Sequence, residues 1–317
     1  MSIAVPLYGF GGSGGGSGGT LTVTAPANVT VTVSKDGKTK TKNSGTSGVV
    51  VFKGLASGTW TVTITGDGKT AQKNVVVTTD YSTAISFSTI PEFTCTGDFE
   101  IVNDSDEPIT VSQGNWKIRF LTSGILTFTN LNGAEAGIDV FLVGGGGDGG
   151  TRNWNPDSNI QQHGAGGGGG HTKTQKNISV TVGTAYTITI GSNTGTTNAF
   201  GLSASGGTSA YGAVKGWENG GSGGSGGGAT EGTGGTDGGN GTVPRFGVAG
   251  TGQGTTTREF GETNGRLYAS GGNGDKTNPT VANSGNGADG KSTDDPSTSK
   301  NPGASGIVVI RNARGAA

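Results

Sequence analysis

"IDVFLVGGGGDGG", residues 138–150, passes from an apolar, β-favouring run straight into glycine, with no turn residue or cap between them. Ile138, Val140, Phe141, Leu142 and Val143 read as a core strand. A glycine run is ordinarily read as a flexible linker. A fold that joins the two must have a use for bare backbone. The enrichment is not local, since 47 of the 163 residues from Gly144 to Gly306 are glycine. A second strand-like run, "GIVVIR" (Gly306–Arg311), closes the region. A disordered insertion of that length between paired strands would be unusual, so the brackets argue that the glycine-rich region is folded.

Its period suggests how. In "GGSGGSGGG" Ser222 and Ser225 are three apart, and Thr230, Thr233 and Thr236 repeat the spacing in "TEGTGGTDGGNG". An extended helix of the polyproline II type has three residues per turn and no internal hydrogen bonds. Its N–H and C=O groups point sideways, so neighbouring helices can bond one another. A helix inside such a bundle has no room for Cβ atoms, whereas a peripheral one shows a side chain every third residue. Ordering each glycine costs about 0.5–1 kcal/mol more than ordering alanine, so nearly every buried backbone group must be bonded across the lattice.

The rest of the chain reads as strands. The composition is 68 glycines, 29% apolar residues and a formal charge of −1. An oily core cannot run throughout, and no basic footprint for nucleic acid or acidic membrane is present. Cys95 stands alone, which excludes an intrachain disulfide. "MSIAVPLYGF" lacks the pattern of a signal peptide, and no run is apolar enough to span a bilayer. Residues 1–19 read as an attachment peptide, Val5, Pro6, Leu7, Tyr8 and Phe10, with a Gly/Ser linker. Residues 20–89 read as a small β-sandwich of seven short strands, with "NVTVTVS" and "GTWTVTIT" alternating and Asp36-Gly37 and Asp67-Gly68 as type I′ turns. Residues 90–115 read as a linker with an edge hairpin. Residues 116–317 read as a β-scaffold carrying the glycine bundle, with strands expected in "WKIRFL", "ILTFTN", "NISVTV" (Asn177–Val182), "YTITI" and "GIVVIR". The fold class is all-β, with essentially no α-helix.

Two resemblances follow from these residues. "FKGLASGTWTVTI" (Phe52–Ile64) resembles the signature of prealbumin-like, carboxypeptidase-regulatory-type domains, which implies a fold and no activity. "WKIRFLTSGILTFT", "DVFLVGGGG", the glycine blocks and the closing "GASGIVVIR" resemble the glycine-rich domain of bacteriophage tail proteins. Tail-fibre tip adhesins of T-even-type phages share the idea of a polyglycine II sandwich. This chain departs from those adhesins in carrying its own sandwich domain and in less pure glycine blocks. The resemblance implies a non-enzymatic virion protein, a tail fibre or adhesin, made in a bacterial cytoplasm and acting outside the cell. Its partners would be other tail, baseplate or virion proteins, a host surface glycan or protein and, as a homo-oligomer, further copies of the chain. A structural spacer or decoration protein of tail or capsid is the alternative.

The stretches between glycine blocks hold aromatics and arginines, the types that dominate binding hot spots. The candidates for receptor contact are Trp154, Tyr211, Trp217, Arg245, Phe246, Arg258 and Phe260. The competing reading is that the rings cap the ends of the glycine lattice. "GNGADGKS" (Gly285–Ser292) satisfies the phosphate-loop pattern, but no strand precedes it and no helix can follow it. His163 and His171 lack a third metal ligand. Glu259, Glu262 and Asp294-Asp295 are the acids that would tempt a glycan-hydrolase reading, and no aromatic sugar platform lies beside them. No catalytic residue, metal or cofactor is expected. The threonine row is too short to support an ice-binding surface.

Overall fold

The computed structural model describes residues 18–110, 114–151, 153–155, 160–162, 164–212, 218–228, 253–274, 280–291 and 300–314. Two compact units divide the chain, Met1–Ser88 and Thr89–Ala317.

The first unit contains β1 (Gly19–Thr24), β2 (Thr30–Lys35), β3 (Lys38–Asn43), β4 (Val49–Leu55), β5 (Gly58–Gly66), β6 (Lys69–Val77) and β7 (Tyr81–Ala84). They form sheets of order β3-β2-β5-β6 and β4-β1-β7. Period-two alternation turns Val31, Val33, Trp60, Val62 and Ile64 inward to meet Leu21, Phe52 and Val77. The two Asp-Gly pairs close the β2–β3 and β5–β6 hairpins with positive φ at all four residues, as a type I′ turn requires. From edge strand β3, Lys40 and Lys42 donate to the carbonyls of Lys53 and Val51 on β4, 2.6 and 2.7 Å away. Those lysines cover a sheet edge that would otherwise offer free carbonyls.

The second unit contains β8 (Glu92–Cys95), β9 (Phe99–Val102), β10 (Lys117–Phe120), β11 (Gly124–Asn130), β12 (Ile138–Val143), β13 (Asn153–Asn155), β14 (Ile160–Gln162), β15 (Thr172–Ile178), β16 (Ala185–Ile188), β17 (Thr197–Ala199), β18 (Leu202–Ala204), β19 (Tyr211–Gly212), β20 (Glu218–Asn219) and β21 (Ile307–Asn312). Two short 3₁₀ turns, Gly254–Thr257 and Glu259–Gly261, follow β20. The main sheet runs β15-β12-β21-β10-β9 and a second runs β16-β11-β8. Strand β12 is buried on both faces. Ile138, Val140 and Leu142 enter one apolar cluster, with Trp116, Ile118, Phe120, Leu126 and Phe128. Phe141 and Val143 enter another, with Phe260 and Tyr268. That double burial explains why the opening stretch shows no polar alternation.

Two expectations need correction. The residues expected to form an edge hairpin instead supply β8 and β9, which do not pair with each other. Each completes the edge of a different sheet, and the Phe93 and Phe99 rings meet edge-on at 5.0 Å. The strand expected at Asn177–Val182 lies earlier, on the polar run Thr172–Ile178. An edge strand paired only to β12 keeps one side in water, so its residues need not be apolar. Asn177 takes positive φ at the end of that strand.

Beyond β12 the chain enters a lattice held by backbone hydrogen bonds. Gly144, Gly147 and Gly150 donate to the carbonyls of His171, Gly168 and Ala165. Gly146 and Gly149 donate to Ala304 and Asn301, whereas Gly145 donates to Gly195. In the series 144, 147, 150 and in the pair 146, 149 every third N–H therefore meets the same neighbour, and successive residues meet different ones. The segment turns through one revolution in three residues. Partner numbers that fall by three mark antiparallel neighbours. Those that rise by three mark parallel ones, as where Ala288 and Lys291 donate to Gly147 and Gly150. The segment 164–170 repeats the pattern, with Gly164, Gly167 and Gly170 donating to Lys291, Ala288 and Gly285. A Cβ built on Gly147 would overlap the carbonyl oxygen of Thr208, and one on Gly167 that of Gly147 itself. Bare backbone is thus a packing requirement here.

Candidate functional site

The hydrogen-bond register assigns a direction to each lattice segment. Residues 144–150, 205–210, 225–228, 269–273 and 284–291 run away from β12, and residues 164–171, 220–224 and 301–306 run back toward the scaffold. The last described residues before the stretches that follow 151, 212, 228, 274 and 291 therefore share one end of the lattice, the end distal to β12 and β21, whereas Gln253, which follows the stretch beyond 228, meets Gly170 and Thr172 at the scaffold end. At the distal end the Gly164 N–H donates to the Lys291 carbonyl and the Lys291 N–H to that of Gly150, while Gly290 donates to Asn273.

"GGSGGSGGG" is not a single pass. Gly221 and Gly224 donate to Gly166 and Gly169 in parallel, and Gly166 and Gly169 donate to Gly228 and Ser225 in antiparallel. The chain therefore reverses between Gly224 and Ser225. Ser222 is exposed and Ser225 is buried, although they are three apart.

Polar side chains complete the lattice where backbone partners run out. The Gln253 carboxamide acts as a surrogate peptide group, since it accepts from the Thr172 N–H at 2.7 Å and donates to the Gly170 carbonyl at 2.9 Å. Asp289 Oδ1 accepts from the Asn273 N–H at 2.7 Å. The phosphate-loop look-alike belongs to the same network. The N–H groups of Gly285, Gly287, Ala288, Gly290 and Lys291 are all bonded to lattice carbonyls, so none converges on a phosphate.

A second feature lies on the scaffold. The three central strands of the main sheet carry charges at inward positions. Lys117 lies opposite Arg311 and Arg311 opposite Asp139, in one row across β10, β21 and β12. The segment 254–268 covers this face. Buried Glu259 bridges Lys117 and Arg119, at 3.0 Å each, and accepts from the Tyr268 hydroxyl at 3.2 Å. Arg311 pairs with Asp139 at 3.1 Å and Glu262 at 2.6 Å, and its guanidinium lies 4.0 Å from the centre of the Phe260 ring. Asp106 pairs with Lys117 and with Arg119, the latter at 2.5 Å. Asp104 pairs with Arg314. Partial burial pushes the Asp104 and Asp106 carboxyls up, but hydrogen bonds from Asn115 and Arg314 in one case, and from Arg119 and Lys117 in the other, outweigh it and hold both below the usual range. The Arg311 hydrogen bond likewise lowers Glu262. Burial, then the charge of Glu259, pushes the Tyr268 hydroxyl well up. Above this network opens a cleft of about 210 Å³, with Asp104, Glu262, Asn264 and Arg266 at its mouth.

The sequence-derived candidates fare unequally. Phe260, expected at a binding surface, is 4% exposed and packs between Phe141 and Arg311. Arg258 is half-buried and donates to the Gly265 carbonyl. Both hold the covering segment in place, because residues 254–268 close a sheet face and do not form a free loop. Trp154 and Tyr211 lie on the backbones of β13 and β19, and their side chains fall outside what the structure describes. Trp217, Arg245, Phe246 and the peptide Val5, Pro6, Leu7, Tyr8 and Phe10 lie outside the described residues. So do His163, the Thr230, Thr233 and Thr236 row and Asp294-Asp295. Glu259 and Glu262 are tied to cations. A carboxyl held low by Arg311 is unsuited to proton donation, which needs a raised pKa. Among the described residues no three His, Cys, Asp or Glu side chains gather as metal ligands, and no helix is long and apolar enough to cross a membrane. The ion-pair network was missed in the sequence, although "WKIRF", "IDVFLV" and "IVVIRN" each place a charge inside an otherwise apolar strand.

The architecture is that of an all-β chain whose scaffold frames a lattice of glycine segments. The glycine-rich domain model matches residues 122–313, and the chain belongs to that family. No curated protein matches the chain. A solved DUF3823 family protein from Bacteroides ovatus is similar over 54% of this chain and 79% of its own, at 12% identity and a TM-score of 0.21. A likeness at that level bears on no functional argument.

Proposed function

We propose that this chain is a non-enzymatic bacteriophage virion protein, a tail fibre or adhesin that binds a host surface receptor through stretches carried on a lattice of polyglycine II helices. The threefold hydrogen-bond register supports the helix type. The observation that carries the functional reading is the common end at which both flanks of the stretches around Trp154 and Trp217, and the leading flank of the stretch that holds Arg245, meet the lattice. A rigid scaffold that gathers several connections at one end is the usual design of a recognition surface. The protein would assemble in the host cytoplasm and act on the virion, beside other tail or baseplate proteins.

The test is adsorption. Virions carrying Trp217→Ala, Arg245→Ala and Phe246→Ala together are expected to assemble normally and fail to adsorb to host cells. Unchanged adsorption would instead favour the second reading, a spacer or decoration protein. The packing roles of Arg258 and Phe260 lean that way, since they remove two residues from the exposed set.

A further inference from the structure

We infer that the cleft on the scaffold is a second binding site, and that its ligand is a neutral, hydroxyl-rich ring, one sugar unit of a glycan. The inference is independent of the adhesin reading, because the cleft lies on the strand row Lys117–Arg311–Asp139, away from the distal end of the lattice.

Its size sets the first limit. At about 210 Å³ the cleft is smaller than the roughly 300–1,000 Å³ of pockets for drug-sized ligands, so it accommodates a single ring. Its chemistry sets the second. The floor is already neutralised: Lys117 is held by Asp106 and Glu259, and Arg311 by Asp139 and Glu262. The mouth combines acceptors and donors. Asp104 and Glu262 are each 47% exposed at the side chain, and an ion-paired carboxylate keeps lone pairs for further protons. Glu262 meets Arg311 through Oε1, and no bond to its Oε2 is seen among the described residues. The same cleft is lined by two donors. Asn264 is exposed and has no hydrogen-bond partner among the described residues. Arg266 stacks 5.5 Å from the centre of the Tyr268 ring, and among the described residues no carboxylate pairs with it. It is the only cation of the cleft of which that is true.

An anion entering this mouth would meet Asp104 and Glu262, and a cation would meet Arg266, Arg311 and Arg314. A neutral polyol meets neither repulsion. Its vicinal hydroxyls can donate to a carboxylate while their oxygens accept from a guanidinium or a carboxamide. The backbone holds this arrangement under strain. Phe260 has φ of 58°, uncommon for a bulky residue and a feature that clusters at ligand clamps. That conformation sets Glu259 inward against Lys117 and leaves Glu262 outward at the rim.

The experiment is saturation-transfer NMR on the intact chain with methyl glucoside, methyl galactoside, N-acetylglucosamine, glucuronate and inorganic phosphate as probes. At least one neutral sugar is expected to bind saturably, with Asn264→Ala and Arg266→Ala each weakening it by about ten-fold or more at an unchanged melting midpoint. Saturation by none of the neutral sugars, or full affinity in both variants, would overturn the site. Stronger binding of glucuronate or phosphate than of every neutral sugar, lost with Arg266→Ala, would overturn the ligand class and make this an anion site.

Discussion

Glu259 shows how much rests on single side chains in a glycine-rich protein. It is buried between Lys117 and Arg119, and the Tyr268 hydroxyl donates to it. Glu259→Gln removes the charge that both cations need, and breaking a buried pair from one side costs about 3–5 kcal/mol. A drop in melting midpoint of the second unit is the expected result, and an unchanged midpoint would show that Asp106 alone suffices. The same cluster predicts acid sensitivity. Asp104, Asp106 and Glu262 are lower in the folded state than their ordinary values of 3.8, 3.8 and 4.5. The unfolded chain therefore takes up protons first as pH falls. Their contribution is complete above those values and is lost as pH falls through the lower folded ones. Urea titrations from pH 6 downward are expected to show falling stability below about pH 4.5, with a shallower fall in Asp106→Asn.

The glycine segments act as elements in their own right. In segment 164–170 the N–H groups of Gly164 and of Gly166 through Gly170 each bond a carbonyl at 2.7–3.1 Å. Amide exchange at Gly166–Gly170 is thus expected to be slow, like that of β12, and uniformly fast exchange would contradict the lattice. Side-chain substitution probes the same packing. Gly167→Val would drive a side chain into the Gly147 carbonyl, a clash beyond the about 1–3 kcal/mol of ordinary overpacking. Exposed Ser222 accepts valine at little cost, so soluble yield and melting should separate the two variants. The reversal between Gly224 and Ser225 was not legible, because two serines three apart look alike whether the chain continues or folds back. Only the partners of Gly166 and Gly169 distinguish the two.

At the scale of the molecule, two units fold on different principles. The first has an ordinary apolar core around Trp60, whose indole N–H donates to the Ala56 carbonyl at 2.8 Å. A fragment of residues 18–88 is expected to unfold cooperatively, and Trp60→Ala to cost it about 3–5 kcal/mol. A fragment without a cooperative transition would show that its core is incomplete alone. The second unit combines two apolar clusters with a lattice bonded through backbone. Local chemistry was enough for much of this. Period-two runs, Asp-Gly pairs and glycine blocks bracketed by strands act within a few residues, so they determined the all-β class, the sandwich, the two Asp-Gly hairpins and the glycine region bounded by β12 and β21. What tertiary structure decided depends on residues far apart in the chain. Glu259 meets Lys117 across 142 positions, Phe260 takes its place between Phe141 and Arg311, and the polar run Thr172–Ile178 becomes a strand because β12 has a free edge. No local pattern encodes such pairings, because the energy that selects them exists only once the distant partner has arrived.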